Sequence, residues 1–201
     1  MTQAAHSIPP SEIPSRSDQR VILHGVTWSQ YETLLEIRGD QAGVRMTYLE
    51  GELELMSPSR DHEWTKKLLG RLLEAYAEER ELELEGYGSM TMRSAPKERG
   101  VEPDECYALG DPKEHPDIAI EVIWTSGGLD KLEVYRGLGV QEVWLWKDGR
   151  LGVHALRGEQ YETIARSELI PDLDLELLVS FVGEQSQTQA VKSFRIALRG
   201  R

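Results

Sequence analysis

One cysteine, Cys106, stands among 201 residues, so an intrachain disulfide framework and a metal cage built of cysteines are both excluded. The five histidines, His6, His24, His62, His115 and His154, show none of the spacings that hold zinc. Long apolar runs are missing. Stretches such as Ile118-Ala119-Ile120 are far shorter than the ~20 residues needed to span a bilayer, so no membrane partner is expected. The first residues, MTQAAHSIPPSEIPSRSD, lack the apolar stretch of a secretory signal, and a reducing, cytoplasmic setting is the expectation. No Gly-rich phosphate loop is present, and Gly127-Gly128 alone reads as a flexible turn. A serine nucleophile in a G-x-S-x-G setting is also absent. Basic residues are outnumbered, 23 Lys plus Arg against 35 Asp plus Glu, for a net charge of −12. That balance argues against a broad nucleic-acid-binding surface.

What is present is the composition of a soluble globular domain, 39% hydrophobic and 29% charged. The length suits one domain with tails. Residues 1–19, with Pro9, Pro10 and Pro14, read as a disordered leader. Residues 20–183 form the folded unit, and 184–201 a basic C-terminal tail. In that tail Lys192, Arg195, Arg199 and Arg201 meet no acid after residue 190. Lys192, Arg195 and Arg199 fall at helical spacing, as do Val191, Phe194 and Leu198. Two readings stay open: a basic amphipathic helix for a phosphate backbone or acidic partner, and a frayed terminus.

Periodicity predicts a short helix over 27–37 and a hairpin over 44–56, where Val44, Met46 and Tyr48 alternate before Gly51 and Leu53 and Leu55 after it. It predicts a long helix over 58–79, capped by Ser57 with Pro58 in the first turn, whose row is Trp64, Leu68, Leu72 and Tyr76. Strand-like runs follow at 82–92, 105–109, 118–123, 142–146, 151–156 and 161–164. A helix over 129–138, closed by Gly139, lies between the third run and the fourth. That crossover makes 118–123 and 142–146 a parallel pair. Residues 173–182 are helix or strand. The fold class is α/β (α+β): one mixed sheet flanked by few helices.

Chemistry concentrates in Glu102-Pro103-Asp104 and in Ile118-Ala119-Ile120-Glu121-Val122-Ile123. An acid inside the most apolar strand is expensive unless it is paired or binds a metal. Carboxylates at the ends of neighbouring strands, Asp104 and Glu121, can hold one Mg²⁺ or Mn²⁺, hard ions that prefer oxygen. Such an ion polarises a phosphodiester and activates a water. Lys131, on the next helix, is the nearest cation for the developing charge. Asp117 competes for the aspartate role, but it shares a strand with Glu121 and lies four residues, about 13 Å, away. His62 opens the long helix and can reach the same cleft, or is an end-of-helix polar residue. Cys106 reads as core packing.

The segments Tyr48-Leu-Glu-Gly-Glu-Leu-Glu-Leu-Met-Ser-Pro58 with His62, Glu102-Pro-Asp-Glu-Cys-Tyr107, Pro116-Asp-Ile-Ala-Ile-Glu-Val122, and Leu129-Asp-Lys-Leu-Glu-Val-Tyr135 with Gly139-Val-Gln-Glu-Val-Trp144 occur in that order. Together they resemble the Uma-two-type restriction endonuclease family, over about residues 27–182. The resemblance implies a restriction-endonuclease-like fold and a PD-(D/E)XK type of site. Asp104 then matches the family aspartate and Glu121 the acid of the third motif. The usual lysine two residues on is replaced by Ile123, and Lys131 on the next helix matches its substitute. Glu52, Glu54 and His62 match polar positions around the cleft.

Two functions follow. The first is a Mg²⁺- or Mn²⁺-dependent DNA endonuclease with Asp104 and Glu121 as metal ligands and Lys131, His62 and Glu54 beside them, with a homodimer pairing two sites by analogy with nucleases of this fold. The second is a catalytically inactive nuclease fold serving as a binding or assembly module, which the acidic body favours.

Overall fold

The computed structural model describes residues 17–39, 41, 43–124, 127–184 and 186–200. The expected leader lies outside the described residues as far as residue 16, but Asp18 and Gln19 do not belong to a leader. Gln19 opens the first strand, β1 (Gln19–His24), and Asp18 is buried.

Helix α1 (Trp28–Arg38) follows, with a capping box in which the Thr27 hydroxyl accepts from Gln30 N–H and the Gln30 side chain accepts from Thr27 N–H. Strands β2 (Arg45–Leu49) and β3 (Glu52–Ser57) form the expected hairpin. Its two-residue loop, Glu50-Gly51, has positive φ at both positions, the conformation that matches strand twist and that glycine adopts freely. Helix α2 (Arg60–Glu79) starts later than its periodicity predicts. Ser57 is still paired in β3 opposite Gln19, Pro58 ends the strand, and the cap is the Ser59 hydroxyl, accepting from His62 N–H at 3.2 Å. Leu68, Leu72 and Tyr76 are buried as expected, while Trp64 is 37% exposed.

The run expected over 82–92 divides into β4 (Leu84–Gly86) and β5 (Met92–Ser94), which enter different sheets. Then come β6 (Arg99–Val101), β7 (Glu105–Leu109), β8 (Ile118–Ile123), α3 (Lys131–Leu138), β9 (Glu142–Lys147), β10 (Arg150–Arg157) and β11 (Gln160–Ile164). The segment with two readings contains a short helix, α4 (Leu175–Ser180). The expected tail folds as α5 (Gln187–Arg199).

There are two sheets where one was expected. The first, in the order β1-β3-β2-β6-β5, is antiparallel throughout. The second runs β11-β10-β9-β8-β7-β4, and its β8–β9 pair is parallel, as the α3 crossover requires. The α+β class stands. One face of the second sheet, through Ile118, Ile120, Val122, Trp144 and Trp146, packs on α2 and α5. The other face, through Ala119 and Val143, packs on α3 together with Val101 and Met92 of the first sheet. Helix α1 covers the far side of that first sheet through Tyr31 and Leu35 against Met46, Tyr48 and Leu53. Because β8 is covered on both faces, it is almost wholly apolar. Glu121 is its one charge.

The α5 packing shows that the tail is a docked amphipathic helix and not a frayed terminus. Ala190, Phe194 and Leu198 are buried against α2, and burial of a Phe or Leu side chain contributes about 1.5–3 kcal/mol each. Arg195 and Arg199 turn to the C-terminal end of α2 and hold Glu79 at 2.9 and 2.7 Å. Those hydrogen bonds bring the Glu79 carboxyl down to about 2.

Candidate active site

The site lies where the two sheets meet. Alternation along β2 and β3 places Met46, Tyr48 and Leu53 toward α1 and leaves Arg45, Thr47, Glu54 and Met56 on the opposite face. In a lone hairpin that second face would be wet. Here Thr47 and Glu54, directly opposite one another in register, are both buried.

Asp104 and Glu121 approach from the second sheet. Glu105 pairs with Ile120 across β7 and β8, and the same register carried one step sets Asp104 opposite Glu121. Directly opposed residues of an antiparallel pair put their Cβ atoms about 4.5–5.5 Å apart. Asp104 is 0% exposed and Glu121 3%. Asp104 Oδ2 accepts from Val122 N–H at 2.6 Å. Its Oδ1 faces His62 Nε2 at 2.9 Å and the Arg45 guanidinium. Glu121 Oε1 accepts from the Tyr135 hydroxyl and lies 3.5 Å from Lys131 Nζ. Lys131 also donates to Thr47 Oγ1 at 2.8 Å, so one ammonium ties β2 to β8. Burial and the neighbouring Glu121 push the Tyr135 hydroxyl well above its ordinary pKa, which keeps it a donor.

Glu54 is held from two sides. Arg20 of β1 lies 3.2 Å from its Oε2, and Leu129 N–H donates to the same oxygen at 2.9 Å. Gly128 makes this approach possible, since a Cβ there would stand 2.5 Å from Glu54 Oε2. Glu54, Glu121, Lys131, Arg20, Lys147 and the 127–129 loop line a cavity of about 180 Å³.

His62 is 1% exposed. Its Nδ1 faces Asp18 Oδ2 at 3.0 Å, while Asp18 Oδ1 accepts from Ser59 N–H at 2.8 Å. Burial raises the Asp18 pKa, but the bonds from His62 and Ser59 outweigh it and leave the carboxyl below its ordinary value.

The other sequence candidates lie elsewhere. Asp117 occupies the far end of β8, taken up by Leu109 N–H at 2.8 Å, Gln141 Nε2 at 2.9 Å and Lys113 Nζ at 2.6 Å. Glu52 pairs with His24 at the exposed end of the hairpin. Cys106 is packed in the core, where burial raises its thiol to about 12. Glu102 accepts from Arg38, from Met46 N–H at 2.9 Å and from Thr91 at 3.0 Å, and so fastens α1 to the first sheet. Asp18, Arg20, Arg45 and Thr47 escaped sequence reasoning. The first two follow a Ser/Pro-rich stretch, and the others occupy hairpin positions that alternation assigns to solvent.

The model of the Uma2 family, described as "Putative restriction endonuclease", matches residues 28–182. The chain belongs to the Uma2 family. A search of curated proteins finds no match. The Uma2 match spans α1 to α4 and includes Glu54, His62, Asp104, Glu121 and Lys131. It stops short of β1, which carries Arg20. Among the described residues no helix is long and apolar enough to cross a membrane. Also among them, no group of three or more His, Cys, Asp or Glu is arranged to hold a metal ion.

Proposed function

We propose that the cleft between β3, β8 and the start of α3 hydrolyses phosphodiester bonds of DNA with a divalent cation, Mg²⁺ or Mn²⁺, in a PD-(D/E)XK type of site. The observation that carries this reading is the register that sets Asp104, just ahead of β7, opposite Glu121 within β8, with Lys131 3.5 Å from Glu121 on an open cavity. The donors fit such an ion. They are hard carboxylate oxygens, and Mg²⁺ takes one or two carboxylates and completes its shell with water and substrate phosphate. Glu121, which lines the cavity with Glu54, and Asp104, buried opposite it, would hold it. Bound there, it would polarise a phosphoryl oxygen and acidify a water.

The chain's own groups do the rest. Tyr135 and Lys131 fix the Glu121 carboxylate. The Lys131 ammonium faces the cavity, where it can orient the attacking water or offset charge on the phosphoryl oxygens as the leaving P–O bond breaks. Arg20 and Lys147 at the rim attract a phosphate to an otherwise acidic protein. A homodimer would bring two such sites to two strands, and a cytoplasmic setting suits both the substrate and the free thiol.

One observation favours a non-cleaving binding module. Asp104 is fully buried and already holds His62, Arg45 and Val122 N–H. Lys131 pairs with Glu121, yet the cavity beside that pair remains open. Calorimetry with Mg²⁺ and Mn²⁺, run with nicking of supercoiled plasmid, separates the two readings. Wild type is expected to bind metal and nick DNA, and Asp104→Ala to do neither. A wild type that binds no metal overturns the nuclease reading.

A further inference from the structure

Three features remain unused: an arginine-rich cavity beside Arg45, an apolar edge on β1, and the buried chain of groups running from Asp18 to Asp104. The cavity is lined by Arg38, Arg45 and Lys66, but each of these already holds Glu102 or Glu63. The edge exposes Val21 and Leu23, and nothing indicates what would cover it. The buried chain carries further.

Asp18, His62 and Asp104 are each at most 6% exposed. Both ring nitrogens of His62 are engaged, Nδ1 with Asp18 and Nε2 with Asp104. A ring held at one nitrogen only can turn about its side-chain bonds, whereas one held at both cannot. Asp18 is itself anchored, because its second oxygen accepts from Ser59 N–H at the start of α2. Asp104 Oδ1 meets both the Arg45 guanidinium and the His62 ring; Glu63, 43% exposed, holds Arg45 from the surface, whereas the carboxylate that holds His62 is the buried Asp18. The strand that begins just after Asp18, β1, supplies Arg20 to Glu54. Both residues precede the Uma2 match, which begins at residue 28.

We infer that Asp18 is a positioning residue for the site: by fixing the His62 ring it sets the carboxylate of Asp104, so that the segment ahead of the family domain completes the cleft. This rests on the nuclease reading for its purpose but not for its test. Groups that orient metal-binding carboxylates typically contribute 10–100-fold in metal affinity.

The experiment compares wild type, Asp18→Ala, Asp18→Asn and Ser59→Ala by two readouts. One is hydrogen-exchange protection of the Val122 amide, which reports the bond to Asp104 without any metal. The other is Mn²⁺ affinity by calorimetry. Asp18→Ala is expected to lower Val122 protection about tenfold and Mn²⁺ affinity about 10–100-fold. Asp18→Asn keeps an acceptor for Ser59 N–H and a partner for the ring, so it is expected to stay near wild type in both. Ser59→Ala removes the α2 cap but leaves the Asp18–His62 contact. It should lower the thermal midpoint and leave Val122 unmoved, which separates positioning from general loss of stability. A folded Asp18→Ala with wild-type Val122 protection overturns the inference. If wild type binds no Mn²⁺, the nuclease reading falls, and Val122 protection alone still decides whether Asp18 positions Asp104.

Discussion

Glu121 and Glu142 sit on adjacent parallel strands of one sheet, and both are buried. Glu142 accepts from four neutral donors: Trp144 Nε1 at 2.8 Å, Ser167 Oγ at 2.7 Å, Glu168 N–H at 2.7 Å and Leu169 N–H at 3.1 Å. It thereby pins the loop after β11 to the sheet. Glu121 instead meets a phenol and an ammonium and faces a cavity. A carboxylate that every neighbour satisfies is a fastener. One that shares its neighbours with an open cavity, opposite a second carboxylate, has capacity left for a ligand. The two acids are almost equally buried, and what distinguishes them is the identity of their partners.

The sharpest test of that contrast is a pair of substitutions. Glu142→Ala strands four donors, those of Trp144 and Ser167 buried and the two amides part-buried, and is expected to cost about 3–4 kcal/mol of stability, at about 1 kcal/mol per lost bond. Chemical denaturation measures it, and metal affinity of the folded fraction should not change. Glu121→Gln keeps the shape and should stay within about 1 kcal/mol in stability, while plasmid nicking falls on the order of 10²–10³-fold. If the two effects were exchanged, the contrast would be wrong.

Tyr135→Phe probes the link between the two roles. Loss of a buried hydrogen bond to a charged group is expected to cost about 1.5–3 kcal/mol. It also frees the Glu121 carboxylate, so Mn²⁺ affinity should fall about 10–100-fold. A stability loss with unchanged affinity would make Tyr135 a fastener only.

Much of this was legible in the sequence because the signals were local. The short helix over 27–37, the hairpin about Gly51, the buried Leu68, Leu72 and Tyr76 of α2 and the parallel crossover through α3 all follow from spacing. What was not legible depends on a second layer. Alternation marks Thr47 and Glu54 as polar and outward, and only the packing of one sheet against the other makes outward mean buried. Asp18 follows a proline-rich stretch, and no pattern of its own announces a contact with a helix more than 40 residues on. The split of residues 82–92 between two sheets has the same origin: strands of three residues carry too little periodicity to declare a partner.

Asp18 and Glu105 extend the contrast to pH. The Glu105 pKa is raised from its ordinary 4.5, chiefly by burial, with Lys66 and Lys67 opposing. A carboxyl raised on folding lends stability below its unfolded pKa and loses it as pH rises through the folded value. Glu105→Gln is therefore expected to be more stable than wild type at pH 7, with the advantage shrinking as pH falls toward 4. Asp18 is lowered from 3.8, so its contribution is present above that value and is lost as pH falls through the folded one. The Asp18→Asn penalty should shrink only at the acid extreme. Thermal midpoints from pH 2 to 7 separate the two slopes.

The smallest expected effect concerns Gly128. Its φ lies outside the left-handed region that strains a side chain, so alanine is acceptable to the backbone there. The obstacle is the Glu54 carboxylate, 2.5 Å from the new Cβ, with Arg20 at 3.0 Å behind it. Glu54 is tethered by Arg20 and Leu129 N–H, so it must shift as a unit with the loop rather than rotate away. Gly128→Ala is expected to change stability by no more than about 1 kcal/mol and to weaken Mn²⁺ binding a few-fold, because it moves the one cavity-lining carboxylate that comes from the first sheet. A few-fold loss would bring Glu54 into contact with the ion or its water shell, and unchanged Mn²⁺ affinity would leave the ion to Asp104 and Glu121 alone.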